Sequence, residues 1–135
     1  MPRVVVDANV FVAALLSPRG ACAQVLLGWT EGEYEVIVSP LLLAELERVL
    51  RRPKFAGWIS AAEIDGLLDA LRDDATLHGD PSTEPGLTRD PKDDYLVALG
   101  LASEADWIVS GDADLLELET PNVPIVSPRA FLERD

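Results

Sequence analysis

A chain of 135 residues fits one domain with a real core, and 48% hydrophobic with 26% charged residues excludes disordered and fibrous classes. The apolar run from Val4 to Leu16 is broken by Asp7 and Asn9, and Cys22 is the single cysteine, so no leader, membrane span or internal disulfide is read and a soluble cytoplasmic domain over 1-135 is expected. The net charge of −13, from 24 acidic and 11 basic residues, opposes general affinity for nucleic acid unless some carboxylates are gathered to hold cations.

Arg3-Val-Val-Val6 predicts a buried strand, followed by a helix through about Leu16 and another over about Ala21–Glu31. Glu35-Val-Ile-Val38 is the second strand, and Ser39-Pro40 supplies the cap and first-turn proline of a helix ending near Arg52-Pro53. A helix over about Ser60–Asp74 leads into a weak strand near Ala75–Leu77, and the turn-rich stretch 78–90 predicts a loop. A helix from Pro91 to about Ser103, a strand Trp107-Ile-Val109, a short helix over Ala113–Leu118, a strand near Pro124–Val126 and a helix from Pro128 complete the chain. Alternating strands and helices predict an α/β fold, with a central, mostly parallel sheet covered on both faces. In such sheets ligands bind beyond the carboxyl ends of the strands.

Carboxylates recur at that end. Asp7 follows the first strand, Glu45 lies on the helix after the second, Asp93 and Asp94 open the helix after the loop, and Asp112 and Asp114 follow Trp107–Val109. Helix capping explains any one of them, because aspartate accepts hydrogen bonds from first-turn amides. It also explains Asp90 and Asp93 around Pro91, but leaves Asp94 over. Asp94 shares a face with Val97, Ala98 and Leu101, while Asp93 aligns with Gly100 and Glu104. A carboxylate turned to an apolar face costs on the order of several kcal/mol unless a cation or hydrogen-bond donors compensate, and this helix places no basic residue to do so. Glu45 borders the stripe of Leu41, Leu42 and Val49, with Arg48 at i+3 as an alternative partner. An all-oxygen set selects a hard cation such as Mg²⁺, Mn²⁺ or Ca²⁺ over zinc. The single histidine, His78, and single cysteine leave no zinc set and no Cys–His pair.

The order Val-Val-Val-Asp7-Ala-Asn9, Ser39-Pro40 before Glu45, Asp90-Pro-Lys-Asp-Asp94-Tyr-Leu-Val-Ala98, then Ile-Val-Ser110-Gly-Asp112-Ala-Asp114-Leu-Leu resembles the PIN-domain nucleases. The ending Val-Pro-Ile-Val-Ser-Pro-Arg-Ala-Phe131-Leu is similar to a bacterial toxin subgroup of that family, of the VapC-like kind. The resemblance runs from Val4 to Leu132 and implies a three-layer α/β/α sandwich. It implies hydrolysis of RNA phosphodiesters with one or two Mg²⁺ or Mn²⁺ ions, leaving 5′-phosphate and 3′-hydroxyl ends. Asp7, Glu45, Asp94 and Asp112 match the family's metal-binding acids, and Asp93 and Asp114 match further acidic positions. Ser110 stands where the family usually has Thr or Ser, to orient a carboxylate or water. The same resemblance implies a homodimer and a cognate antitoxin with a basic tail, which suits so acidic a chain.

Arg48, Arg51, Arg52 and Lys54 form the densest basic cluster and are the candidate RNA contacts, with the ordinary basic end of a helix as the plain alternative. Two other functions stay open. A haloacid-dehalogenase-type phosphatase also sets an aspartate after its first strand, but wants a second where Asn9 stands and a lysine that only Lys92 could supply. A catalytically inactive PIN-like RNA-binding module would keep the fold without the chemistry. A receiver-type signalling domain would need a lysine after the last strand.

Overall fold

Val4, Val5 and Val6 are all fully buried. Successive strand residues point to opposite faces, so a strand without alternation is covered on both sides. In the computed structural model, which describes residues 1–82, 91–118 and 123–134, these valines belong to β1 (Arg3–Val6), the middle strand of five. The others are β2 (Glu35–Val38), β3 (Thr76–Leu77), β4 (Trp107–Val109) and β5 (Ile125–Val126). Their spatial order is β3-β2-β1-β4-β5, with every pairing parallel. Val5 pairs with Ile37 on one side and Ile108 on the other, so the centre of the sheet is aliphatic in all directions.

Seven helices among the described residues complete the α/β/α sandwich: α1 (Ala8–Leu16), α2 (Ala21–Thr30), α3 (Pro40–Leu50), α4 (Ala61–Asp74), α5 (Pro91–Ala102), α6 (Ala113–Leu116) and α7 (Pro128–Leu132). Local chemistry fixes their starts. Ser39 caps α3 with Pro40 in its first turn, Ser60 and Glu63 form a reciprocal capping box on α4, and Ser127 caps α7 before Pro128. No single helix among the described residues is long and apolar enough to cross a membrane.

The expected elements are present, with differences at their ends. Helix α3 stops at Leu50 because Pro53 disfavours helical geometry at Arg52, and Pro53–Phe55 forms a short 3-10 turn that the sequence pattern does not announce. Helix α6 ends at Leu116, short of the expected Leu118. The expected cap at Asp90, the side chain of Asp93 and the loop over 83–90 lie outside the described residues.

The face expected for α5 needs correction. Asp94 and Val97 are buried as expected, but Leu101 is 40% exposed and Gly100 is buried. The reason is close approach: a Cβ on Gly100 would lie 2.7 Å from Ile108 Cδ1 on β4. Only glycine lets the helix backbone sit that near the sheet, and this turns 100 inward and 101 outward.

At the amino ends of the strands, Tyr34 (just before β2) and Trp107 (opening β4) meet Phe131 edge-on, at 5.0 and 6.1 Å between ring centroids. The Arg134 guanidinium covers the Phe131 ring at 3.9 Å, and the Tyr34 hydroxyl donates to the Val25 carbonyl. This cluster fills the amino end of the sheet. The carboxyl end is left to polar residues.

Candidate metal centre

The chain leaves β1 toward β2 and β3 on one side, then returns to place β4 and β5 on the other. Loops leaving β1 and β4 therefore diverge, which opens a crevice at the carboxyl ends of those two strands. Asp7 follows β1, and Ser110 and Asp112 follow β4. The Asp7 amide donates to the Val109 carbonyl at 2.9 Å, so the ladder itself sets the two loops side by side.

Asp7 caps α1 through a 3.4 Å hydrogen bond from the Asn9 amide to Oδ1. Its other oxygen, Oδ2, accepts from the Ser110 hydroxyl at 2.9 Å. Ser110 is fully buried, and its Oγ in turn accepts from the Asp112 amide at 3.0 Å. Asp112 caps α6, its Oδ1 accepting from the Asp114 amide at 2.8 Å. Capping is thus real at both aspartates, yet it uses one oxygen of each carboxylate in the bonds described. Asp114 is exposed.

Electrostatics connects these groups to α3. The Asp7 carboxyl is pushed up from the ordinary aspartate value chiefly by burial, against the bonds from Ser110 and the Asn9 amide, and the charges of Asp112 and Glu45 push it further. Negative charge is under-compensated at Asp7. Glu45 is half-buried and holds Arg48 through a bidentate pair with contacts of 2.8 Å, the alternative that its spacing offered. Asp94 is 5% exposed. Helix α5 packs on β1 and β4, and its far end feeds β4, so Asp94 at its beginning lies toward the carboxyl ends where Asp7 and Asp112 stand.

The donor chemistry fits a hard divalent cation: carboxylate oxygens, with Asp7 destabilised chiefly by burial and then by the charges of Asp112 and Glu45. The described side chains do not by themselves encircle one point; no three His, Cys, Asp or Glu residues form a closed ligand group among them, and Glu45 faces Arg48. The side chain of Asp93 is not among them.

The basic cluster is largely engaged. Arg48 is committed to Glu45, and Arg51 bridges Glu47 at 3.0 Å and Asp65 at 2.9 Å. Lys54 sits 5.1 Å from the centre of the Phe55 ring, and Arg52 lines a shallow cleft of about 270 Å³ with Leu50, Ile59 and Ile64. His78 turns its Nδ1 to the Gly79 carbonyl.

One polar group escaped the sequence reading. The Tyr95 hydroxyl bonds both Ser39 Oγ and Asp80 Oδ1, and Asp80 Oδ1 also accepts from the Leu41 amide at 3.0 Å. Desolvation pushes the Asp80 carboxyl up, but the bonds from Tyr95, the Leu41 amide and Ser39 outweigh it and hold the group below the ordinary value. Burial, then the bond to Asp80, pushes the Tyr95 phenol up to about 12. These partners lie 56 and 15 positions away from Tyr95, and no local pattern joins them.

A model of the PIN domain matches residues 3–114. An uncharacterised protein of Methanocaldococcus jannaschii is 27% identical over 141 residues, covering 97% of this chain and 90% of its own length. PIN domains are in general nucleases that use divalent metals, which agrees with carboxylates set around a switch point. From the ordered acids, the parallel sheet and the extent of that match, the chain belongs to the PIN-domain family.

Proposed function

We propose that this protein is a Mg²⁺- or Mn²⁺-dependent ribonuclease that hydrolyses RNA phosphodiesters, and that it acts as the toxin of a toxin–antitoxin pair. The observation that carries the nuclease reading is the buried Asp7 carboxylate at the junction of β1 and β4, aimed by the Ser110 hydroxyl that also accepts from the Asp112 amide. Asp7, Glu45, Asp94 and Asp112 would hold a divalent ion there, and such an ion would supply Lewis acidity toward a phosphate ester. Ser110 keeps Asp7 oriented by donating to Oδ2. To join such a set Glu45 would give up its pair with Arg48, which would free that guanidinium for a phosphate.

The toxin role rests on the ending near Phe131 and on the net charge of −13, which suits a partner with a basic tail better than unaided binding to RNA. A homodimer belongs to the same reading. The phosphatase alternative has less to stand on: Asn9, where that chemistry needs a second aspartate, contributes its backbone amide to Asp7.

The test is cleavage of single-stranded RNA by the purified protein with Mn²⁺ or Mg²⁺, beside p-nitrophenyl phosphate. RNA cut in a metal-dependent manner with the ester untouched is expected. Rapid ester hydrolysis with intact RNA overturns the reading, as does cleavage unaffected by EDTA.

A further inference from the structure

We propose that Tyr95 is a positioning residue for the metal centre: the hydrogen-bonded series Ser39–Tyr95–Asp80 latches the beginning of α5 to α3, and so sets Asp94 against Glu45. The inference rests on the metal-centre reading above and adds to it a residue outside the carboxylate set.

Three separate segments meet at the Tyr95 hydroxyl. Ser39 is fully buried between β2 and α3, and its Oγ already accepts from the Leu42 amide at 3.2 Å. Asp80, just beyond β3, accepts from the Leu41 amide in the first turn of α3. A phenol has one proton, and the carboxylate can only accept, so Tyr95 donates to Asp80 and receives the Ser39 proton. Donation then runs in one direction, from Ser39 through Tyr95 to Asp80, whose Oδ1 takes the Leu41 amide as well.

The placement gives the latch its effect. Helix α5 packs on β1 and β4, whereas Ser39, Leu41 and Asp80 belong to the β2–β3 half of the sheet. Tyr95 thus carries α5 across the switch point to the half that bears Glu45. Asp94 is the adjacent residue, and fixing the Tyr95 ring fixes the backbone from which the Asp94 side chain springs. Ligand sets tolerate displacements of only about 0.5 Å, so a looser first turn shows at the metal before it shows in the fold. A ring without the hydroxyl would fill the same half-buried space; the hydroxyl makes the connection.

Tyr34 is the matched control, because its hydroxyl also bonds a distant acceptor, the Val25 carbonyl, but at the opposite end of the sheet. Mn²⁺ alone is titrated into wild type, Tyr95→Phe, Tyr34→Phe, Asp80→Ala and Asp80→Asn, with melting temperature and RNA cleavage followed alongside. The expected result is at least tenfold weaker Mn²⁺ binding, with a parallel loss of cleavage, in Tyr95→Phe and Asp80→Ala. Asp80→Asn keeps an acceptor oxygen and recovers most of the affinity, while Tyr34→Phe lowers the melting temperature and leaves Mn²⁺ binding unchanged. Tyr95→Phe binding Mn²⁺ like wild type overturns the latch alone. An equal loss of affinity in Tyr34→Phe also overturns it, since the effect would then follow stability. Wild type that binds no Mn²⁺ overturns the metal centre and the latch together.

Discussion

Ser110 and Asp7 lie 103 positions apart, yet the buried Ser110 hydroxyl donates to Asp7 Oδ2 at 2.9 Å and accepts from the Asp112 amide. One hydroxyl therefore aims two acidic residues. Ser110→Ala leaves a buried carboxylate oxygen and an amide without that partner, a loss of about 1–3 kcal/mol in stability. Removing a group that orients metal-binding carboxylates typically lowers affinity or activity about 10- to 100-fold, and that is the expected change in Mn²⁺ binding. Ser110→Thr restores the donor and recovers cleavage. Melting curves and Mn²⁺ titrations on both variants check this.

Asp7 itself has a sign that can be worked out. Its folded proton affinity is raised, mainly by burial. Its contribution to stability is therefore fully present below the ordinary aspartate range and is lost as pH rises through the raised value. Asp7→Asn removes that penalty. In EDTA, the variant melts higher than wild type at pH 7, and its advantage disappears toward pH 3. With Mn²⁺ the order reverses, because wild type gains RT ln(1 + [L]/Kd), about 2.7 kcal/mol at a hundredfold excess over Kd. Wild-type curves that coincide with and without saturating metal would falsify the metal assignment.

Two adjacent acids are expected to separate. Asp94 is buried near the beginning of α5. Asp94→Asn is expected to abolish cleavage and weaken metal binding while the fold survives. Asp93 fits the capping pattern around Pro91, so Asp93→Asn costs on the order of 0.5–1 kcal/mol in helix stability and retains substantial activity. Paired melts and RNA-cleavage assays decide between them. Activity kept by Asp94→Asn and lost by Asp93→Asn would assign the ligand role to Asp93.

The chain's two tyrosines, Tyr34 and Tyr95, give an alkaline prediction. Both phenols are pushed up to about 12, in each case first by burial. The neutral form is favoured by folding, so this stability is present below the unfolded value of about 10 and is lost as pH rises toward 12. Tyrosinate absorbance of the native protein is expected to stay low to about pH 11 and then rise together with unfolding. Protein in urea titrates near pH 10. Native absorbance that rises with a midpoint near 10 would contradict the burial of both rings.

Much of the architecture was legible in the sequence because the strands are short, aliphatic and separated by capped helices. Val4–Val6 announces a strand buried on both faces, and Ser39-Pro40 announces the beginning of α3. Asp7 and Asp112 were legible as candidates because they follow such strands, whereas Ser110 was singled out only by the family resemblance. What the pattern missed depends on distance in three dimensions. Gly100 looks polar-facing by periodicity, and only the approach of Ile108 turns it inward. Ser39, Tyr95 and Asp80 each have a bland local reading as a cap, a helix residue and a loop residue, and their hydrogen bonds exist only once β2, β3 and α5 are placed. The Glu45–Arg48 pair was one of two readings its spacing left open, and sequence had no means to choose between them.

The pairing of β1 with β4 also governs when the centre can exist. During vectorial synthesis Asp7 leaves the ribosome first, and its hydrogen-bond donor Ser110 follows 103 residues later. At ~5–20 residues per second, that interval is roughly 5–20 s. Throughout it the nascent chain carries the first aspartate without the strand that aims it, and β1 has β2 on one edge only. Docking of β4 is thus both a late folding event, slowed by the long loop it closes, and the moment at which the carboxylates first face one another. A PIN domain built this way lacks its assembled carboxylates until most of the chain has been made.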